Sequence, residues 1–186
     1  MKVKNFGHCC LLIEENNVRI LTDPGIYSIG QDEVKNIDAI LITHEHPDHI
    51  HIPSLKNCLT NNPNVKIFTN KGVGKMLDAE NIHYSLLEEG QNVKIKEILI
   101  EAEGHDHFPL YKPSKQVEIL ALPVAGPWLK LSEAIDYALA VKPKIVFPVH
   151  EGILKQPGVT RRIPPTILES AGIKFVVIEE GKEVEF

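Results

Sequence analysis

Short apolar runs alternate with polar breaks along the chain, and their period changes from strand-like to mixed as it proceeds. Residues 3–6, 9–14 and 18–22 read as three strands. The last two flank Glu15-Asn16-Asn17, which carries hairpin turn chemistry. Asp23-Pro24-Gly25 then stops the sheet. Residues 37–43, "IDAILIT", are a continuous apolar run between polar borders, which predicts a fully buried strand. Helices are predicted over 53–59, 71–79, 132–141 and 164–171, the third capped by Ser132 with Glu133 in its first turn and the fourth stopped by Gly172. Further strands are predicted at 65–69, 93–102, 117–124, 144–149, 175–178 and 183–186. Strands come first and strand–helix alternation follows, so the expected class is α/β (α+β), a layered domain with helices outside buried sheets. No repeat, low-complexity stretch or linker divides it, and 1–186 reads as a single domain.

Composition narrows the functional classes. With 186 residues, 43% hydrophobic and 24% charged, the chain can bury a sizeable core. A net charge of −5 and the lack of a basic stripe argue against a nucleic-acid partner. Cys9, Cys10 and Cys58 are odd in number and two are adjacent, which fits a reducing compartment rather than a disulfide framework. A buried apolar place is expected for Cys9 or Cys10, since alternate residues of a strand face opposite sides. The start lacks a long apolar segment and no run reaches membrane-spanning length, so a cytoplasmic location without membrane partners is expected. Nucleophile-elbow, P-loop and dinucleotide-binding patterns do not occur.

The polar clusters change the picture further, because they fall at the C-terminal ends of predicted strands, where α/β proteins build their sites. In "LITHEHPDHIH", residues 41–51, four of the nine histidines lie within eight positions. His44 and His46, two apart, can face one ion. Asp48 and His49, adjacent and opening a predicted helix, project elsewhere and can serve a neighbouring ion. Imidazole with carboxylate suits Zn²⁺, leaving Fe and Mn open, and the lack of thiolate in the cluster argues against a closed structural zinc site. Such a set suits water activation, since a bound ion lowers the pKa of water from ~15.7 toward ~7.

"THEHPDH" at 43–49 resembles the His-x-His-x-Asp-His signature of the metallo-β-lactamase-fold hydrolases. "FGHCCLLIE" (6–14), "ILTDPG" (20–25) and "ALPVAGPWLKLSEAIDYALAVKPKIVFPVH" (121–150) resemble the branch that holds the ascorbate-phosphate lactonase-like, zinc-dependent proteins. The resemblance implies a four-layer αββα sandwich with a metal site at one edge of two sheets. It also implies that His44 and His46 bind one ion with a later histidine, His105 or else His107, and that Asp48, His49 and His150 bind a second. Relatives carry a β-hairpin ending in Gly-Asp, whose aspartate bridges the two ions. Here 105–124 passes almost directly to the next strand, with no Gly-Asp, as though the hairpin were absent between about 112 and 117.

The expected activity is that of a metal-dependent hydrolase with one or two ions, using metal-bound hydroxide on a small ester, lactone or phosphodiester, with Asp48 holding the nucleophile. A non-catalytic metal-binding or interaction protein of the same fold is the alternative, and homo-oligomerisation stays open. His8 reads equally as a site neighbour or a buried core histidine, and Asp23 as either a partner orienting a ligand imidazole or a turn cap. His51 and His83 read as surface residues, and Trp128 as core or pocket wall.

Overall fold

The structure, a computed structural model, describes residues 1–104 and 113–186. It divides into two compact units, Met1–Gly104 with Glu179–Phe186, and His105–Ile178.

The first unit is built on a seven-stranded sheet. Its strands are β1 (Lys2–Gly7), β2 (Cys10–Glu15), β3 (Val18–Thr22), β4 (Ala39–Ile42), β5 (Lys66–Thr69) and β6 (Ser85–Leu86), with β12 (Glu183–Glu185) on the outside of β1. β12, β1, β2 and β3 pair antiparallel, whereas β3 to β6 run parallel. The turn between β2 and β3 forms as its asparagines predict, with Asn16 at φ 48° and Asn17 at φ 60° joining the paired Glu15 and Val18.

Both faces of this sheet are covered, which explains the continuous apolar run at β4. Ile40 and Ile42 point to one face, where they join Leu21, Ile67 and side chains of α1 (Ile52–Asn61) and α2 (Lys71–Ala79), including Leu55 and Leu77. Ala39 and Leu41 point to the other, with Val18, Ile20 and Phe68, under the hairpin β7 (Asn92–Ile95) and β8 (Ile98–Glu101). The single strand expected over 93–102 is therefore two, turned at Lys96, which has φ 52°.

In the second unit, β9 (Ile119–Pro123), β10 (Ile145–Val149) and β11 (Lys174–Phe175) form a parallel sheet in the order β11-β10-β9. α3 (Leu131–Val141) and α4 (Gly158–Leu168) supply Ala134, Ile135, Ala138 and Leu168 to a core with Leu122 and Val146. α4 starts six residues before the expected 164, because Pro164 and Pro165 lie inside it rather than opening it. A 3-10 turn over Glu169–Ala171 then ends at Gly172 in the left-handed conformation.

Among the described residues, no helix is long and apolar enough to cross a membrane.

Candidate metal centre

Topology brings three separate stretches of the first unit to one sheet edge. β3 and β4 are parallel neighbours, with Thr22 beside Leu41, so Asp23 and Thr43 emerge together. β2 runs antiparallel to β3, which returns the tip of the β1–β2 hairpin, His8-Cys9, to the same edge.

The histidine-rich segment is a single tight turn rather than the start of a helix. His49 and Ile50 both donate their amides to the His46 carbonyl, at 2.9 and 3.0 Å, and α1 begins only at Ile52. Pro53, in the first turn of α1, suits that start, since no intrahelical donor is needed there. Residues 24–26 clamp this turn from one side: Ile26 donates to the Pro47 carbonyl, and the Pro24 carbonyl accepts from the His51 amide, each at 3.0 Å. Gly25 lies directly on the Asp48 carbonyl, and a Cβ there would sit 1.9 Å from its oxygen. From the other side Asn70, the N-cap of α2, donates its side-chain amide to the Thr43 carbonyl at 3.0 Å.

At the centre is the buried carboxylate of Asp23. It accepts the Thr43 amide at 2.8 Å, the Thr43 hydroxyl at 2.9 Å and His49 Nδ1–H at 2.9 Å. Because the Thr43 hydroxyl has one proton and gives it to Asp23, its oxygen accepts from His44 Nδ1–H at 3.0 Å. One carboxylate thus fixes both imidazoles with the proton on Nδ1, leaving each Nε2 lone pair for a ligand.

Two groups of donors result. His44 Nε2 stands 3.1 Å from His46 Nδ1, and His46 is exposed while His44 is buried, so this pair opens to solvent. Two imidazoles on one tetrahedral ion, at about 2.0–2.1 Å each, place their nitrogens roughly 3.3 Å apart, so the pair has the spacing an ion needs. In the second group, Asp48 Oδ2 lies 3.1 Å from His8 Nε2 and 3.7 Å from His49 Nε2. Ligand atoms of His8, Cys9 and His49 lie within 4.8 Å of one another. The His44 and His49 ring centroids are 3.9 Å apart, so the groups adjoin.

His150 belongs to the second unit. It follows β10 directly, is buried, has φ 67°, and meets the Trp128 ring edge-on at 5.3 Å between centroids. Trp128, half-buried, thus sets its ring against a candidate ligand. His105 and its alternative His107 lie outside the described residues. His83 is exposed, as expected, and half-buried His51 pairs with Ser54 at 2.9 Å.

Sequence reasoning missed two participants. Of the two adjacent cysteines Cys10 takes the buried strand place, whereas Cys9 precedes β2, which starts one residue later than expected, and its thiol lies beside His8 and His49. The sulfur that the histidine-rich stretch lacks lies at a distant hairpin tip. Thr43, which links Asp23 to His44, was legible only as the residue preceding the motif.

Comparison with known proteins identifies the family. A family model described as "Beta-lactamase superfamily domain" matches residues 2–111. Protein Rv0786c of Mycobacterium tuberculosis is 31% identical, with all of both chains covered. That alignment spans 216 positions against the 186 residues here, so the relative carries segments this chain lacks. A UPF0173 metal-dependent hydrolase of Nanoarchaeum equitans is 22% identical, also with all of both chains covered. Among solved structures, Igni18, a metallo hydrolase of Ignicoccus hospitalis, superposes with TM-score 0.75 and 19% identity over 100% of this chain and 98% of its own. The match begins at β1 and runs through the Asp23 turn and the histidine-rich turn, the elements that assemble the donor groups. By sequence and by its metallo-β-lactamase fold, the chain belongs to the β-lactamase superfamily.

Proposed function

We propose that this protein is a metal-dependent hydrolase of small ester, lactone or phosphodiester substrates, with zinc as its ion. The carrying observation is the pair of facing nitrogens on His44 and His46 at 3.1 Å, with Asp23 and Thr43 holding the protons away from Nε2 of His44 and His49. His44 and His46 would hold one ion, and Asp48 and His49 a second. The donor set, imidazole and carboxylate with an adjoining thiol, fits zinc better than magnesium or calcium. When bound, such an ion supplies a Lewis acid and lowers the pKa of a coordinated water.

The chain's own residues supply orientation and proton handling. Asp48, beside His8 and His49, would orient the attacking water. The buried Asp23 carboxylate prevents ring rotation of His49. The exposed His46 leaves the substrate side open. The net charge of −5 favours small substrates over nucleic acid. Three cysteines without a disulfide fit a reducing, cytoplasmic setting. The names of the Nanoarchaeum and Ignicoccus proteins agree with this reading.

The test is turnover of p-nitrophenyl acetate, a γ-lactone and bis(p-nitrophenyl) phosphate by zinc-loaded protein, with and without chelator. Hydrolysis of at least one, stopped by chelator and abolished in His46→Ala with the fold retained, is expected. Turnover at near wild-type rate in His46→Ala, or none on any substrate with zinc bound, would refute it.

A further inference from the structure

We propose that Cys9 and His8 are ligands to the ion held by Asp48 and His49, so that this site has a thiolate donor. The inference rests on the metal reading above and goes beyond the donors that the histidine-rich motif supplies.

The β1–β2 hairpin is the first observation. Gly7 pairs with Cys10, leaving His8-Cys9 as a two-residue tip. Gly7 has φ 111° and His8 φ 56°, and a non-glycine side chain in that region is uncommon. Glycine would serve the turn with less strain, so a histidine held there points to a use for its side chain. That side chain is almost fully buried and aimed at the cluster, not at solvent.

The second observation is the spacing. His8 Nε2 is 3.1 Å from Asp48 Oδ2, which is a hydrogen-bond length and also close to the roughly 3.3 Å edge between two donors on one tetrahedral ion. His49 Nε2 is 3.7 Å from the same oxygen. The Cys9 thiol lies within 4.8 Å of ligand atoms of His8 and His49, the two imidazoles that Asp48 Oδ2 also approaches, so the hairpin tip brings sulfur to the same donor group. On binding, the Cys9 S–H bond breaks, its proton leaves to solvent, and a sulfur–metal bond forms; His8 binds through a neutral Nε2 with its proton on Nδ1.

The consequence concerns the hairpin that the sequence lacks. Residues 105–124 contain no Gly-Asp to bridge two ions. Four donors from His8, Cys9, Asp48 and His49 hold an ion without that bridge, and the soft sulfur selects zinc over manganese.

Cobalt substitution tests this directly. The full chain loaded with Co²⁺ is expected to show a thiolate-to-cobalt charge-transfer band in the near ultraviolet, lost in Cys9→Ser and retained in Cys58→Ala. His8→Gln should weaken cobalt binding about ten-fold or more. In unmodified protein, alkylation of Cys9 by iodoacetamide, located by mass spectrometry, should slow at least about ten-fold when zinc is added; this needs no variant to fold. Bound cobalt without the band, a band surviving in Cys9→Ser, or zinc leaving Cys9 alkylation unchanged would overturn the proposal while leaving the metal reading intact. Failure of either ion to bind would overturn both.

Discussion

Gly25→Ala should damage the site without replacing a single candidate ligand. A Cβ at residue 25 would meet the Asp48 oxygen at 1.9 Å, the Asp48 carbonyl carbon at 2.2 Å and the His49 nitrogen at 2.7 Å. All three are backbone atoms, so no rotamer change relieves the clash. Ordinary contact begins at 3.4 Å, and the turn must therefore retreat by about 1.5 Å from the Asp23-Pro24-Gly25 clamp. Overpacking of this kind costs typically 1–3 kcal/mol, and a backbone-on-backbone clash belongs at the upper end, about 3 kcal/mol. A displacement above 1 Å also costs roughly a hundred-fold in turnover. The same displacement weakens zinc binding, and urea unfolding, turnover and zinc titration of one preparation measure the three effects. Gly30→Ala is the control: open space surrounds that position, and its φ of 80° costs only about 1 kcal/mol, with zinc binding unchanged. Wild-type stability and zinc affinity in Gly25→Ala would refute the clamp.

Asp23→Asn and Thr43→Val should each lower zinc affinity about 10–100-fold in competition titrations, because both disturb the protons on His44 and His49; equal affinity would show that the tautomers are set elsewhere. Burial, followed by the nearby Asp32 charge, pushes the Cys58 thiol up to about 12, so iodoacetamide at pH 8 should label it only after denaturation. Labelling in the folded protein at the rate of an ordinary thiol would contradict its place in the core. Burial raises the Asp38 carboxyl, but Lys96 at 2.7 Å and the Arg19 amide at 2.9 Å outweigh it and hold the group below its ordinary 3.8. Its contribution is therefore present at neutral pH and lost as pH falls through the lowered value. Asp38→Asn should be less stable by roughly 0.5 kcal/mol at pH 7, and the gap should close in strong acid; a gap that widens there has the wrong sign.

The fold was legible wherever local pattern and burial agree. β4 read correctly from 37–43 because both its faces are covered, and the β2–β3 turn because two asparagines tolerate positive φ. Pattern failed where backbone conformation overrode composition. Lys96 turns a chain whose apolar spacing suggests one strand, and Pro164-Pro165 sits within a helix that a proline rule would start there. In the site, His44, His46, Asp48 and His49 were visible because they share one turn. Cys9 was not, since its pairing with that turn depends on strand order and on a left-handed His8, neither of which has a periodicity. Asp23 was visible as a candidate orienting group, but its partners were not, because the shared edge comes from parallel pairing of β3 and β4.

The most direct test of the central claim is the zinc content of the full chain after reconstitution and removal of unbound metal, measured by elemental analysis. The donor groups at the β3–β4 edge predict about one to two ions per chain, falling by about one in His44→Ala/His46→Ala protein that remains folded. Less than about a tenth of an ion per wild-type chain would contradict the account. Wild-type content in the double variant would equally show that the facing histidines are not ligands.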